Sequence, residues 1–207
     1  MIAIIQYNAG NTASVKNAVE RLGYPCRVTD CPEEIRHADK VIFPGVGEAG
    51  SAMQYLRERG LDRVIVSLRQ PTLGICLGLQ LLCRFSEEGS TPCMGVFDAE
   101  VKRFPAEDIV PHMGWNTLRD TRSPLFSDFK TGGDGNAGDE ARGDNAGDSI
   151  YFVHSYYAGL SKDTIATCDY IVPFSAAMWK SNFYATQFHP EKSGPVGEQI
   201  LRNFLKL

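Results

Sequence analysis

Two short stretches of the chain carry residue types able to do nucleophilic chemistry. The first, PTLGICLGLQLL, spans 71–82. Thr72, Leu73 and Ile75 read as a short buried strand and Leu77, Leu79, Leu81 and Leu82 as the start of a buried helix, so Cys76 sits where strand becomes helix. Gly74 and Gly78 flank it as G-x-C-x-G, the cysteine form of a nucleophile elbow, in which a sharp turn projects the reactive side chain and glycines beside it prevent collision. The helix that follows aims its first N–H groups at the sulfur, a favourable place for negative charge, and leaves the amide of Leu77 free to stabilise an oxyanion. A buried core cysteine in an ordinary strand-to-helix turn fits the same pattern.

The second stretch, FYATQFHPEKSG, spans 183–194 and reads as an extended run ending in His189, Pro190 and Glu191. Pro190 biases His189 towards extended backbone, and the two-residue alternation of an extended chain places His189 and Glu191 on one side. A histidine whose tautomer is fixed by a carboxylate is the partner a cysteine needs for acyl transfer. Taken alone this stretch also fits an exposed polar turn. Taken together, the two predict a catalytic set of Cys76, His189 and Glu191.

These residues need a scaffold that brings positions far apart in sequence to one point. The apolar run at 2–7 reads as a strand buried on both faces. After a loop at 8–11, Val15, Ala18, Val19 and Leu22 recur as the stripe of a helix capped by Thr12 and closed by Gly23. Residues 25–29 and 41–43 read as further strands with a short charged element at 33–40 between them, and Ala49, Ala52, Met53 and Leu56 mark another helix. This alternation is the signature of a parallel sheet wrapped by helices. From about residue 96 the pattern changes to short strands and turns, predicting a mixed or antiparallel region, and Val196, Ile200, Leu201, Phe204 and Leu205 form the stripe of a C-terminal helix. YFVHSYY, 151–157, alternates with Tyr151, Val153, Ser155 and Tyr157 on one side and Phe152, His154 and Tyr156 on the other. Residues 131–149 are rich in Gly, Asp, Asn and Ala, with NAGD occurring twice, and read as a flexible loop with nothing apolar to bury.

The 207 residues suit one large α/β domain, and 43% hydrophobic residues suffice for its core. A net charge of −4 without a dense Lys/Arg patch argues against a nucleic-acid partner. No apolar run approaches the ~20 residues a membrane helix needs, so no membrane partner is expected. Met1 leads at once into IAIIQY, without a secretory signature. Six cysteines without C-x-x-C spacing read as reduced thiols of a cytoplasmic protein, and no cluster has metal-ligand spacing.

GICLGLQLL and TQFHPEKSG resemble the class I, or triad, glutamine amidotransferases. YNAGNTASVKNA at 7–18, FPGVGEAGSAM at 43–53, VPHMGWN at 110–116 and YFVHSYY narrow the resemblance to the glutaminase subunits of imidazole glycerol phosphate synthase, an enzyme of histidine biosynthesis. It covers nearly the whole chain apart from about 131–149. It implies a class I glutamine amidotransferase-like, flavodoxin-like α/β fold with a central, mostly parallel sheet flanked by helices and an additional mixed or antiparallel strand region in the second half. The implied activity is hydrolysis of L-glutamine to glutamate and ammonia, without cofactor or metal, in a heterodimer with a cyclase subunit. By the same resemblance Val46 joins Leu77 in the oxyanion site. Gly45, Gly47, Gln80, Glu88, His154, Ser155 and Tyr156 bind substrate, and Asn11, His112, Trp115 and Tyr151 belong to the face that meets the cyclase. Two departures stand out: the Gly/Asp-rich insertion, and Gln6 where the family often has an acidic residue. Other cysteine hydrolases on this scaffold, such as a γ-glutamyl hydrolase, would share the triad but not PHMGWN and YFVHSY; a silent binding module would not keep both Cys76 and His189.

Overall fold

The computed structural model describes residues 1–130 and 147–207. In chain order the elements are β1 Ile2–Ile5, α1 Thr12–Arg21, β2 Cys26–Thr29, α2 Pro32–His37, β3 Lys40–Gly45, α3 Ala49–Glu58, α4 Leu61–Val66, β4 Thr72–Cys76 and α5 Leu77–Leu82. Then follow β5 Phe85–Ser86, β6 Thr91–Pro92, β7 Glu100–Arg103, β8 His112–Thr117, β9 Ser149–His154, β10 Tyr156–Ala158, β11 Thr164–Asp169, β12 Pro173–Lys180, β13 Phe183–Thr186 and α6 Gly194–Lys206.

The main sheet has the order β11-β12-β13-β4-β3-β1-β2. β2, β1, β3, β4 and β13 run parallel, and β12 and β11 close the other edge antiparallel. Strands buried on both faces must feed two cores, and β1 does so residue by residue. Ile2 and Ile4 pack with Val15, Val19, Ile200 and Phe204 of α1 and α6, while Ala3 and Ile5 pack with Ile35, Met53, Leu56 and Ile65 of α2, α3 and α4. The fold is therefore the α/β arrangement that the alternation of strands and helices predicts, with antiparallel strands concentrated in the second half.

Several local expectations change. Thr12 is the first helical residue of α1 rather than its cap; Asn11 precedes it in a left-handed conformation, φ 78°. Gly23 does close the helix, with φ +86° and its N–H on the Glu20 carbonyl at 2.9 Å. α4, which sequence patterning did not single out, packs on α3. YFVHSYY is not one strand. Its alternation holds through His154 in β9, which pairs with β8, and breaks at Ser155, where the chain leaves that hairpin and joins β7 as β10. Most of the expected flexible loop, 131–146, lies outside the described residues, and its last residue, Ser149, already belongs to β9.

Candidate active site

The site is assembled at the carboxyl ends of parallel strands. β4 lies between β3 and β13, with Gly45 opposite Cys76 and Thr186 opposite Ile75, so the elbow, the end of β3 and the segment after β13 converge. Cys76 itself has φ 54° and ψ −106°, a region costly for a residue with a Cβ, and it turns directly into α5. Close approach makes the glycines necessary: a Cβ on Gly78 would lie 1.9 Å from the Phe43 carbonyl oxygen, and one on Gly74 would lie 3.0 Å from backbone atoms of Gly78. The elbow can thus form only where α5 is allowed to pack hard against β3.

His189 comes from the turn that follows β13. It is extended, φ −100°, but the chain then enters a short 3-10 turn, Pro190–Lys192. That turn, rather than a continued strand, brings Glu191 back, and Nδ1 of His189 meets Oε1 of Glu191 at 2.8 Å with both side chains buried. Asn11 donates from Nδ2 to the same oxygen at 2.6 Å. Nε2 of His189 is buried and, with Nδ1 taken up by Glu191, is the ring nitrogen left for Cys76. Burial alone would lower the His189 pKa; hydrogen bonding and charge from Cys76 and Glu191 outweigh it and push it up to about 10. The ring is accordingly built to carry a proton between a sulfur and a carboxylate.

Cys76 is 6% exposed and forms the floor of a cleft of about 290 Å³ lined by Val46, Gly47, Leu77, Gln80, Glu88 and the 153–156 segment. The structure therefore brings the expected oxyanion residues Val46 and Leu77 and the expected substrate residues Gly47, Gln80, Glu88, His154, Ser155 and Tyr156 to one cavity. Gly45 does not line it. It sits in the sheet beside Tyr7, whose hydroxyl would lie 2.0 Å from any added Cβ. Glu88 accepts from the Ala49 amide at 2.8 Å and is half-buried; burial raises its pKa against that hydrogen bond, and the Glu48 charge adds to the rise.

The four residues expected at a partner face separate. Trp115 is 58% exposed on β8 beside Met113 at 63%, with Tyr151 edge-on to Trp115. His112 turns the other way, because strand alternation points it inward, where it stacks between Phe152 and Tyr170 and is buried. Asn11 faces Glu191.

Three residues escape sequence reasoning. Tyr7 places a buried, unpartnered hydroxyl beside the end of β3, and burial followed by the Cys76 charge raises its pKa well above the usual phenol value. Ser193 accepts from the Tyr151 amide at 3.0 Å and donates to the His189 carbonyl at 2.7 Å, fastening β9 to the turn that carries His189. Gln187 is fully buried and donates to the Cys76 sulfur at 3.6 Å. Its position two residues before His189 on an extended run was the one available signal.

Comparison with known proteins bears on the family and the fold. The chain is 54% identical to the imidazole glycerol phosphate synthase subunit HisH of Bacteroides fragilis (strain YCH46), covering 100% of this chain and 99% of that protein. It is 45% identical to the subunit of the same name from Pasteurella multocida (strain Pm70), over 99% and 97% of the two chains. A crystal structure of a glutamine amidotransferase superposes with a TM-score of 0.71 over 100% and 98% of the chains at 18% identity. PurLQS from Thermotoga maritima contains a chain that superposes with a TM-score of 0.64 at 14% identity, covering 99% of this chain and 97% of that one; both likenesses speak to the fold. The family described as glutamine amidotransferase class-I matches residues 3–207, and the chain belongs to that family.

Proposed function

We propose that the chain is the glutaminase subunit of an imidazole glycerol phosphate synthase and that it hydrolyses glutamine through Cys76, His189 and Glu191. The observation that carries this reading is the buried His189–Glu191 pair, 2.8 Å apart, set beside a cysteine strained at the mouth of its own helix. Nε2 of His189 takes the thiol proton, and the sulfur attacks the side-chain amide carbon of glutamine. The N–H groups of Leu77 and Val46 stabilise the oxyanion, Leu77 as the first amide of α5, which has no carbonyl partner within the helix. His189 then returns its proton to the leaving nitrogen, and ammonia departs. Water, deprotonated by the same ring, opens the γ-glutamyl thioester to glutamate and the free thiol. Glu88, in the lining of the cleft, suits the substrate's α-ammonium group, and Gln80 and the 154–156 segment line the same cleft.

The ammonia serves a separate cyclase subunit, which combines it with a phosphoribulosyl-formimino carboxamide ribotide: the nitrogen enters the ring of imidazole glycerol phosphate, and aminoimidazole carboxamide ribotide is released, in the course of histidine biosynthesis. Support for a partner over the cleft comes from its rim. Pro111 and Val153 line the cavity, and Val153 pairs across the hairpin with exposed Met113, two residue pairs along from Trp115 and Tyr151. This apolar face runs into the cleft mouth, so a docked subunit would close it against water. No helix among the described residues is long and apolar enough to cross a membrane, and six thiols without a disulfide support a cytoplasmic location.

The test is glutamate release by the purified chain, with and without its cyclase subunit and that subunit's nucleotide ligand. Turnover is expected to depend on both, and Cys76→Ala to lower it by at least ~10³-fold while partner binding persists. Turnover retained by Cys76→Ala would overturn the mechanism.

A further inference from the structure

We propose that Gln187 is a positioning residue for the nucleophile: it holds the Cys76 sulfur by an N–H···S hydrogen bond whose direction is imposed by a buried chain of hydrogen bonds meeting at the Tyr156 carbonyl. The inference rests on the assignment of Cys76 as nucleophile. Gln187 does not line the cleft and has no exposed surface, so it acts through Cys76 and Gln80 rather than by touching substrate.

A carbonyl oxygen can only accept, and this fixes the polarity on both sides of Tyr156. Towards the cleft, Gln80 donates from Nε2 to the Tyr156 oxygen at 2.9 Å, so its second hydrogen goes to Oε1 of Gln187 at 3.1 Å. Gln187 is then left with Nε2 towards Sγ of Cys76, at 3.6 Å. A flipped amide would set nitrogen against nitrogen at Gln80 and a carbonyl oxygen against the sulfur. The Gln187 backbone is itself tied down, its N–H on the Ala176 carbonyl at 2.8 Å.

On the other side His154 donates from Nδ1 to the same Tyr156 oxygen at 2.8 Å. Its Nε2 therefore accepts, from Nδ1 of His112 at 3.2 Å. Nε2 of His112 in turn faces Nδ2 of Asn116 at 3.5 Å, and that nitrogen is fixed as a donor by the Asp169 carbonyl at 2.9 Å. Both ends of the chain thus demand one polarity, and β8, which carries Met113 and Trp115 outward, is linked through it to the sulfur. The other contact of the sulfur is the Val153 carbonyl at 4.0 Å, which suits a thiol as donor. A thiolate, which can only accept, finds a donor in Gln187 besides the protonated His189.

The experiment uses the complex with the cyclase subunit and its nucleotide ligand. Two variants separate donor from shape: Gln187→Met keeps length without polarity, and Gln187→Glu keeps an acceptor for Gln80 but turns a carboxylate oxygen to the sulfur. The readouts are kcat and KM for glutamine, the thermal midpoint, and the rate of iodoacetamide alkylation of Cys76 against pH, located by mass spectrometry with Cys76→Ala as blank. In both variants kcat is expected to fall ~10–100-fold, as for loss of a hydrogen bond to a charged group, with KM for Gln187→Glu within about 3-fold. Alkylation should begin at higher pH in both, furthest in Gln187→Glu. A wild-type kcat and alkylation profile in Gln187→Glu would overturn the proposal even if Gln187→Met misfolds. A loss of kcat with an unmoved alkylation profile would overturn it as well, leaving Gln187 a packing residue. Glutamate release by Cys76→Ala would remove the nucleophile assignment itself, an outcome visible without any Gln187 variant.

Discussion

One oxygen of Glu191 receives two hydrogen bonds, from His189 and from Asn11, while its other oxygen is buried without a partner. A carboxylate held so firmly on one side has a defined direction, and Asn11 is what prevents it from swinging away from the imidazole. Asn11→Ala is expected to lower kcat/KM in the complex by ~10-fold, the scale of one charge-assisted hydrogen bond, and to lower the thermal midpoint by about 2–4 °C, because Ala tolerates φ 78° less well than Asn. Asn11→Asp should lose more, since two carboxylates at this separation cannot both stay ionised and the proton they share weakens the hold on His189. Equal activity in Asn11→Asp and wild type would show that Glu191 needs no second donor. The proposed triad could be picked out of the sequence because strand-to-helix glycines and an H-P-E turn are local signatures. The Asn11 contact joins residues at opposite ends of the chain, and no local pattern encodes it.

Glycines decide how closely the elements meet, and here they do so at two joints. The first, Gly78 of α5 against β3, was visible as part of G-x-C-x-G. The second was not: a Cβ on Gly197 of α6 would stand 2.0 Å from the Pro190 carbonyl oxygen and 2.7 Å from Cβ of Ser193. The helix stripe of α6 could be read from its apolar spacing, but nothing in that spacing marks Gly197, and only the packing reveals that it seats the turn carrying His189 and Glu191. Gly197→Ala is expected to push that turn and its Ser193 clamp away from β9. Overpacking of this kind costs about 1–3 kcal/mol, or roughly 2–10 °C in a chain of this size, and kcat should fall with it because His189 and Glu191 move with Pro190. Gly159→Ala is the control, its nearest neighbour being the Glu100 carbonyl at an ordinary 3.6 Å. Calorimetry and glutaminase assays on both variants check the point; a Gly197→Ala enzyme as stable and active as the control would mean that the turn yields freely. The same limit on local reading explains Ser155, where alternation looked continuous but the chain changes sheet.

Across the whole molecule, the three buried histidines divide into two classes with opposite linkage to pH. Burial lowers the His112 pKa to about 4 and the His154 pKa to about 3, the latter against the Tyr156 hydrogen bond. Both stay neutral in the folded chain at pH values where the unfolded chain, with histidine near 6.5, takes up protons. Their contribution is present above pH 6.5 and is lost as pH falls through about 4 and about 3. His189, raised to about 10 by Cys76 and Glu191 against burial, has the reverse sign: its contribution is complete below pH 6.5 and is lost as pH rises through about 10. The core beneath β8 and β9 is thus a source of acid sensitivity, and it stands between the exposed Trp115 face and the catalytic sulfur. His112→Gln removes one titrating group while keeping an amide donor for His154. Compared with wild type, its unfolding free energy in urea should depend less steeply on pH between about 4.5 and 6.5, by up to ~1.4 kcal/mol per pH unit, the value for one proton. Above pH 7 the two curves should run parallel, since His189 is common to both, and the difference cancels the carboxylates that titrate in each. Parallel curves across the acid range would show that His112 takes up its proton in the folded chain as readily as in the unfolded one, which would make its Nε2 a donor and end the hydrogen bond it accepts from Asn116.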